Sequence, residues 1–312
     1  MKEATVMGSL DQASLNGIQK RLTKKPKTKI LVDGGDPQET ERITGLLGFV
    51  DGQTTNPSLI AKNPEIMRLV NSGQKLTAQQ EADEYRSIVR AISPLVGDAG
   101  VSIEVFADLS TTAEEMFRQG VDMFSWIPNA YVKYPCTSEG LRAAEMSVRD
   151  GIRVNMTLCF SQQQAAAVYA ATKGTTAPAY VSPFVGRLDD IDQNGVDLVA
   201  NIKRMYGNGD GHMLVLAASI RSLAHLLYCF SIGADLVTVP AKVLTQWAEA
   251  SFPMPDERFT YTPIGRRIDY EELTLERSWR GFNFEHELTT KGVEKFAADY
   301  RATLYSKASQ KH

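Results

Sequence analysis

Short apolar runs alternate with amphipathic stretches along most of the chain. Lys29-Ile-Leu-Val-Asp33 is the first apolar run, stopped by Gly34-Gly35. Asp36-Pro37 supplies an N-cap followed by proline in the first helical turn, opening a helix to Leu47. A second strand is predicted from Phe49 to Thr54, and Asn56-Pro-Ser then starts a helix carried by Leu59, Ile60, Ile66, Leu69 and Val70. Thr77 with Gln80 forms a capping box for the next helix, whose apolar stripe is Tyr85, Ile88, Val89 and Ile92.

The alternation continues with strands at Val101–Ala107, Asn129–Pro135, Ile152–Cys159, Ala179–Val181, Met213–Ala218 and Asp235–Val239. Helices are predicted between them at Thr111–Met123, from Ser138 as N-cap, at Ser161–Lys173, Asn194–Tyr206 and Ser222–Ser231, with Pro240 opening one more. Near-continuous apolar strands separated by helices predict a parallel sheet covered on both faces. Eight such units fit a closed α/β barrel, the (β/α)8 TIM architecture, with an open doubly wound sheet as the alternative. No strand runs into G-x-G-x-x-G, so the dinucleotide fingerprint of the open sheet is missing.

Residues 1–28 read as a short helical arm and a loop, with Lys24-Lys-Pro-Lys27 as a solvated basic run. Beyond Ser251 comes a stretch bearing prolines and aromatics up to Phe284. A last helix follows, with Leu288, Val293, Phe296, Tyr300 and Leu304 on its apolar stripe. The expectation is one domain over 1–312: a barrel core at about 28–250, and an extension from 251 that packs across it.

Composition narrows the class without naming it. A net charge of -3 offers no basic field for nucleic acid or anionic lipid. Three scattered cysteines make no disulfide framework and suggest a reducing compartment. No apolar run approaches membrane-spanning length and no signal-like segment follows Met1, so the chain reads as cytoplasmic.

Candidate chemistry centres on Asn129-Ala-Tyr-Val-Lys-Tyr-Pro-Cys-Thr137, where Lys133 sits inside a strand just before a helix. Burial penalises an ammonium, which frees a buried amine as a nucleophile toward carbonyls. Taken by itself, a structural lysine that snorkels to solvent or pairs with a carboxylate is the commoner outcome. In a (β/α)8 barrel, however, active sites form at the C-terminal strand ends. Those ends here carry Asp33, Thr55, Asn56, Glu104, Lys133, Asn155, Thr157, Ser182, Ser219 and Arg221. Asp33 also suits a turn, Asn56 an N-cap and Thr157 a strand filler; an acid in Val-Ser-Ile-Glu-Val-Phe is harder to dismiss. Metal binding finds little support: the four histidines lack ligand spacing, and Asp189-Asp190-x-Asp192 lacks the rest of a calcium loop.

These motifs together resemble the transaldolases, barrel enzymes of the class I aldolase type. The resemblance rests on Val32-Asp33, Thr54-Thr-Asn-Pro-Ser58, Ile103-Glu-Val105, Val132-Lys133-x-Pro and Asn155-x-Thr-Leu158. It continues in the same order through Ser182-Pro-Phe-Val-Gly-Arg187, Ala217-Ala-Ser-x-Arg221 and Gly233-Ala-Asp-x-x-Thr-Val-Pro240. Tyr134 departs from the smaller residues common after the lysine, and 251–285 is not covered by the motifs.

The resemblance implies that Lys133 forms a Schiff base with a ketose phosphate and that Asp33 handles the C4-hydroxyl proton. Glu104 and Thr157 would hold a catalytic water. Thr55, Asn56, Asn155, Ser182 and Phe184 would line the bound sugar, while Arg187, Ser219 and Arg221 would grip its phosphate. It implies no metal or organic cofactor, sugar phosphates as the partners, and leaves room for a homo-oligomer. Close relatives in function are a fructose 6-phosphate aldolase-like lyase and a transaldolase for a sulfonated sugar; a non-catalytic sugar-phosphate-binding barrel is the alternative of another class. In the lyase branch a tyrosine stands at the Phe184 position and a glutamine at the Glu104 position.

Overall fold

The computed structural model describes residues 22, 25–73, 75–263 and 265–304. Eight parallel strands close into a barrel in chain order. They are β1 (Lys29–Asp33), β2 (Gly52–Thr54), β3 (Gly100–Glu104), β4 (Ala130–Pro135), β5 (Val154–Cys159), β6 (Ala179–Pro183), β7 (Met213–Ala217) and β8 (Leu236–Val239). β1 pairs with both β2 and β8, which closes the ring and leaves no sheet edge. The predicted (β/α)8 architecture is the one observed, and the open sheet is excluded.

The helices are α1 (Pro37–Leu47), α2 (Pro57–Ile60), α3 (Pro64–Asn71), α4 (Ala78–Ile92), α5 (Ala113–Phe124) and α6 (Ser138–Arg149). After them come α7 (Gln162–Ala171), α8 (Val185–Asp189), α9 (Gly195–Tyr206), α10 (Leu223–Ser231), α11 (Ala241–Glu249) and α12 (Glu287–Thr303). Caps fix most of their starts. The Thr77 hydroxyl accepts from Gln80 N while Gln80 reaches back, the capping box expected from the sequence.

Several boundaries differ from the sequence reading for local reasons. The helix expected through Ile66 is two helices, because Pro64 lacks an N–H and restarts the chain with Asn63 as cap. Thr137, not Ser138, caps α6, its hydroxyl accepting from Gly140 N at 3.1 Å. The third strand stops at Glu104: past it, Phe106 bonds through its backbone to the Gln119 side chain instead of a ladder. The five-residue α8 had no periodic signature. Most of the predicted N-terminal arm lies outside the described residues. Lys25, from the run read as solvated, instead pairs with the buried carboxylate of Asp51.

Side chains inside the barrel divide into two zones. At the N-terminal end Leu31, Tyr131, Tyr180, Leu216 and Leu236 make an apolar plug, with the two tyrosine rings stacked at 4.2 Å. At the C-terminal end the interior turns polar: Asp33, Thr54, Glu104, Lys133, Asn155, Thr157, Ser182 and Thr238. Buried polar groups cost free energy unless bonded, so this second zone is an expensive feature of the core.

The chain after α11 straps the outside of the barrel before crossing its mouth. Glu271 exchanges two backbone hydrogen bonds with the Gln162 side chain on α7, and Asn201 on α9 donates to Ile268 O at 3.0 Å. α12 then spans the C-terminal face. Thr289 donates to Leu158 O at 2.9 Å near one end; toward the other, Ser58 bonds Asp299 and the Tyr300 ring lies 4.6 Å from that of Phe106. Among the described residues, no helix is long and apolar enough to cross a membrane.

Candidate active site

Alternation along β4 decides what Lys133 can do. Val132 and Tyr134 face the helices, and the Tyr134 hydroxyl shares a 2.8 Å hydrogen bond with Ser147 on α6. Room for that large residue comes from Gly120 on α5, where a Cβ would stand 1.9 Å from the Tyr134 hydroxyl. Lys133 therefore faces inward and is 4 % exposed, so it does not snorkel. Its Nζ donates to Thr55 O at 2.8 Å and lies 2.9 Å from Glu104 Oε2. The register puts Glu104 and Asn155 on either side of it.

The remaining polar side chains hold one another. Thr54 donates to Asp33 Oδ1 at 2.8 Å and shares its hydroxyl with Thr238 at 2.6 Å. Ser182 donates to Asn155 Oδ1 at 2.8 Å, and Asn155 Nδ2 donates to Ser102 at 3.0 Å. Thr157 Oγ1 is buried with no partner among the described residues, and Glu104 Oε2 accepts no aligned hydrogen bond. Burial pushes the carboxyls of Asp33 and Glu104 above their usual range, against the opposing pull of Lys133 on both.

Above this floor opens a cavity of about 240 Å³, lined among others by Asp33, Lys133, Thr157, Ser182, Phe184 and Arg187. Asn56 and Ser219 also line it. Asn56 does serve as an N-cap, accepting from Leu59 N at 2.9 Å, while its side chain borders the cavity. Ser219 holds φ 57°, and Leu158, just after Thr157, holds φ 58°. Left-handed backbone at two non-glycine residues beside one pocket is strain of the kind that collects at functional sites.

Four of the expected site residues do not line the cavity. Thr55 contributes its carbonyl, its hydroxyl being taken by Tyr85 at 2.5 Å and Ser102 O at 2.8 Å. Asn155 and Glu104 stand behind Ser182 and Lys133 as supports. Arg221 turns its guanidinium outward, where both nitrogens meet the Asp190 carboxylate, one at 2.7 Å. Arg187 is better placed: its guanidinium lies 5.3 Å from both the Phe184 and the Phe296 rings.

Ser58, Lys62, Lys295, Phe296 and Asp299 also line the cavity; sequence reasoning assigned none of them to the site, although Ser58 ends one of the motifs and Phe296 lies on the last helix's apolar stripe. Lys295 and Asp299 are an i,i+4 pair on α12, bonded at 2.6 Å. That spacing alone is ordinary on a solvated helix face; only the path of α12 over the mouth makes it part of a site.

A closed (β/α)8 barrel whose C-terminal end holds a buried lysine, two carboxyls and a guanidinium is the frame of an aldolase-type enzyme. Comparison with known proteins specifies it. A family model described as Transaldolase/Fructose-6-phosphate aldolase matches residues 30–307. The chain is 33% identical over 276 residues to a probable transaldolase of Agathobacter rectalis, covering 88% of this chain and 99% of that one. It is 35% identical to a probable transaldolase of Paracoccus denitrificans, over 88% and 97% of the two chains. Identity is 43% to one of Bacteroides thetaiotaomicron, over 69% and 88%. The chain belongs to the transaldolase/fructose-6-phosphate aldolase family.

Proposed function

We propose that this enzyme is a transaldolase of the pentose phosphate pathway, carrying a dihydroxyacetone unit between sugar phosphates on Lys133. The observation that carries the reading is the buried Lys133 amine, which opens onto the cavity at its tip, backs onto Glu104 and shares the cavity with Asp33. Fructose 6-phosphate or sedoheptulose 7-phosphate is the donor, and an aldose phosphate the acceptor.

Lys133 Nζ adds to the C2 carbonyl and water leaves, giving an iminium that withdraws electrons from C3. Asp33 takes the C4-hydroxyl proton as the C3–C4 bond breaks; the bond electrons pass to the iminium, and an aldose phosphate departs. The enamine left on Lys133 then adds to the acceptor aldehyde by the reverse path. The iminium is itself the electron sink, so the sequence of steps uses no metal or organic cofactor. Thr157 is suited to hold the water of imine formation, since its buried hydroxyl has no partner among the described residues. Phe184 brings no proton to the enamine, which favours waiting for an acceptor over release of free dihydroxyacetone.

Fructose 6-phosphate followed by borohydride is expected to leave a reduced three-carbon unit on Lys133, located by peptide mapping. A label on another lysine, or none, removes the Schiff base from the reading. Equal cleavage rates with and without an acceptor aldehyde would assign a lyase instead.

The Asp33 carboxyl gives a second test. It works as a base only when ionised, and its raised range brings the acid limb of turnover above that of an ordinary aspartate. The Thr54 hydroxyl opposes this by bonding the carboxylate. Thr54→Val removes that bond, worth about 1.5–3 kcal/mol to a charged acceptor. The acid limb of the pH–kcat profile should therefore move up by about 1 pH unit or more. A profile that stays in place would take the proton-abstracting role away from Asp33.

A further inference from the structure

Beside the C-terminal end of β3 lies a smaller cavity of about 70 Å³, lined from helices α4, α5 and α12. Two acidic residues line it: Glu104, from the lysine site, and Glu81, from the first turn of α4. Glu81 is 6 % exposed and has no side-chain hydrogen bond among the described residues. A helix surface position this well covered ordinarily takes an apolar residue, because an unpaired carboxyl there costs free energy.

Among the described residues, the lining around Glu81 supplies no countercharge. Tyr85 faces it from its own helix, Glu104 from β3, Gln119 from α5 and Tyr300 from α12; Phe106 and Met123 add apolar wall. Gln119 is committed to the Phe106 backbone through both ends of its amide, at 3.0 Å each. The Tyr85 hydroxyl is committed to Thr55 and to Glu104 N. Among the described residues, the uncommitted polar groups of the lining are thus the Glu81 carboxyl, the Glu104 oxygen turned away from Lys133 and the Tyr300 hydroxyl. The cavity's volume holds about two waters at ~30 Å³ each, enough to bridge the two carboxyls. Burial pushes the Glu81 carboxyl up to about 7, so it gains or loses a proton near neutrality.

We propose that Glu81 is a positioning residue for protons in the lysine chemistry, exchanging one with Glu104 through water in the cavity they share. The proposal rests on the Schiff-base reading of Lys133. Imine formation gives it a defined task. The Lys133 ammonium passes one proton to Glu104, and from there through water to Glu81. The freed amine adds to C2, forming the N–C bond, while the carbonyl oxygen takes a second N–H proton and becomes a hydroxyl. The stored proton then returns by the same path, the C–O bond breaks and water leaves as C=N forms. Ammonium plus ketone becomes iminium plus water with no proton gained or lost. Glu104 alone would have to hold that proton 2.9 Å from the lysine that is about to react; Glu81 removes it across the cavity.

The test is Glu81→Gln, which keeps shape and packing and removes the ionisation. The single-turnover rate of borohydride-trappable adduct on Lys133 should fall about tenfold at pH 7–8, less than for a group touching the reacting atoms. Its pH dependence should also lose the ionisation near neutrality. An unchanged rate, or a fall of equal size at every pH, marks Glu81 as packing and overturns the proposal. In the infrared, the wild type should show a carboxylic C=O band that titrates near neutrality, is absent in Glu81→Gln and shifts in Glu104→Gln. A band that ignores Glu104→Gln disconnects the two carboxyls, and that variant alone reads the coupling if Glu81→Gln does not fold. A wild type that forms no adduct on Lys133 overturns the Schiff-base reading instead, while the infrared result still stands on Glu81.

Discussion

Lys133→Met is expected to lower turnover on the order of 10⁴-fold and, as a separate effect, to make the fold sensitive to alkaline pH. Methionine matches the volume of the lysine stem, so packing in the barrel is nearly kept. What is lost is the charge beside Glu104. Breaking a buried pair and leaving one partner charged costs about 3–5 kcal/mol, and a carboxyl escapes part of that by keeping its proton. Glu104 is already raised by burial, and Lys133 is the main group opposing that rise. Without the lysine it rises further.

The sign follows from linkage. Between its unfolded value near 4.5 and its raised folded value, Glu104 holds a proton in the folded state that the unfolded chain has released. Stability is thus fully present below the unfolded value and declines as pH rises through that window. Urea denaturation of Lys133→Met should show a lower midpoint at pH 8.5 than at pH 5, by more than wild type does. Adding Glu104→Gln should flatten the difference. A midpoint equally low at both pH values would mean that the lysine is missed for its packing and not for its charge.

The second large effect concerns the two arginines. Arg187→Ala should raise KM for phosphorylated substrates about 10- to 150-fold, the equivalent of a charge-assisted contact of about 1.5–3 kcal/mol. Arg221→Ala should cost less, because Asp190 already occupies its fork and a phosphate must displace that carboxylate first. Unphosphorylated fructose should respond little to either change. Steady-state kinetics on both substrates decides it: equal losses on fructose and fructose 6-phosphate would mean that Arg187 supports α12 and does not hold phosphate.

Much of the frame was legible in the residue pattern because each strand is short, apolar and fenced by turn or cap residues. Asp36, Thr77 and Ser161 mark helix starts by chemistry that acts within three residues. That Lys133 lies within a strand was legible too, but not which face it takes, since every residue of that strand is buried. What the sequence did not show depends on distant partners. Nothing near Arg221 announces that Asp190 takes its guanidinium, and although the extension was expected to pack across the barrel, nothing near Lys295 or Asp299 says that these two come over the cavity. Glu81 is hidden for the same reason: beside Thr77 and Gln80 it looks like one more acid at a helix N-terminus, and its burial comes from residues distant in sequence, such as Phe106, Met123 and Tyr300.

The path of α12 also sets an order of events. A chain is made from its N-terminus, and every strand of the barrel, with Asp33, Glu104 and Lys133, precedes α12. The ring of strands has all its residues before the helix that roofs it is synthesised. Contacts such as Ser58 with Asp299 and Leu76 with Leu304 join segments far apart in sequence, the slowest kind to form. A nascent barrel on the ribosome is therefore a bowl with the Lys133 amine at the bottom. Only when that helix is in place does the bowl gain Lys295, Phe296 and Asp299 as its upper wall.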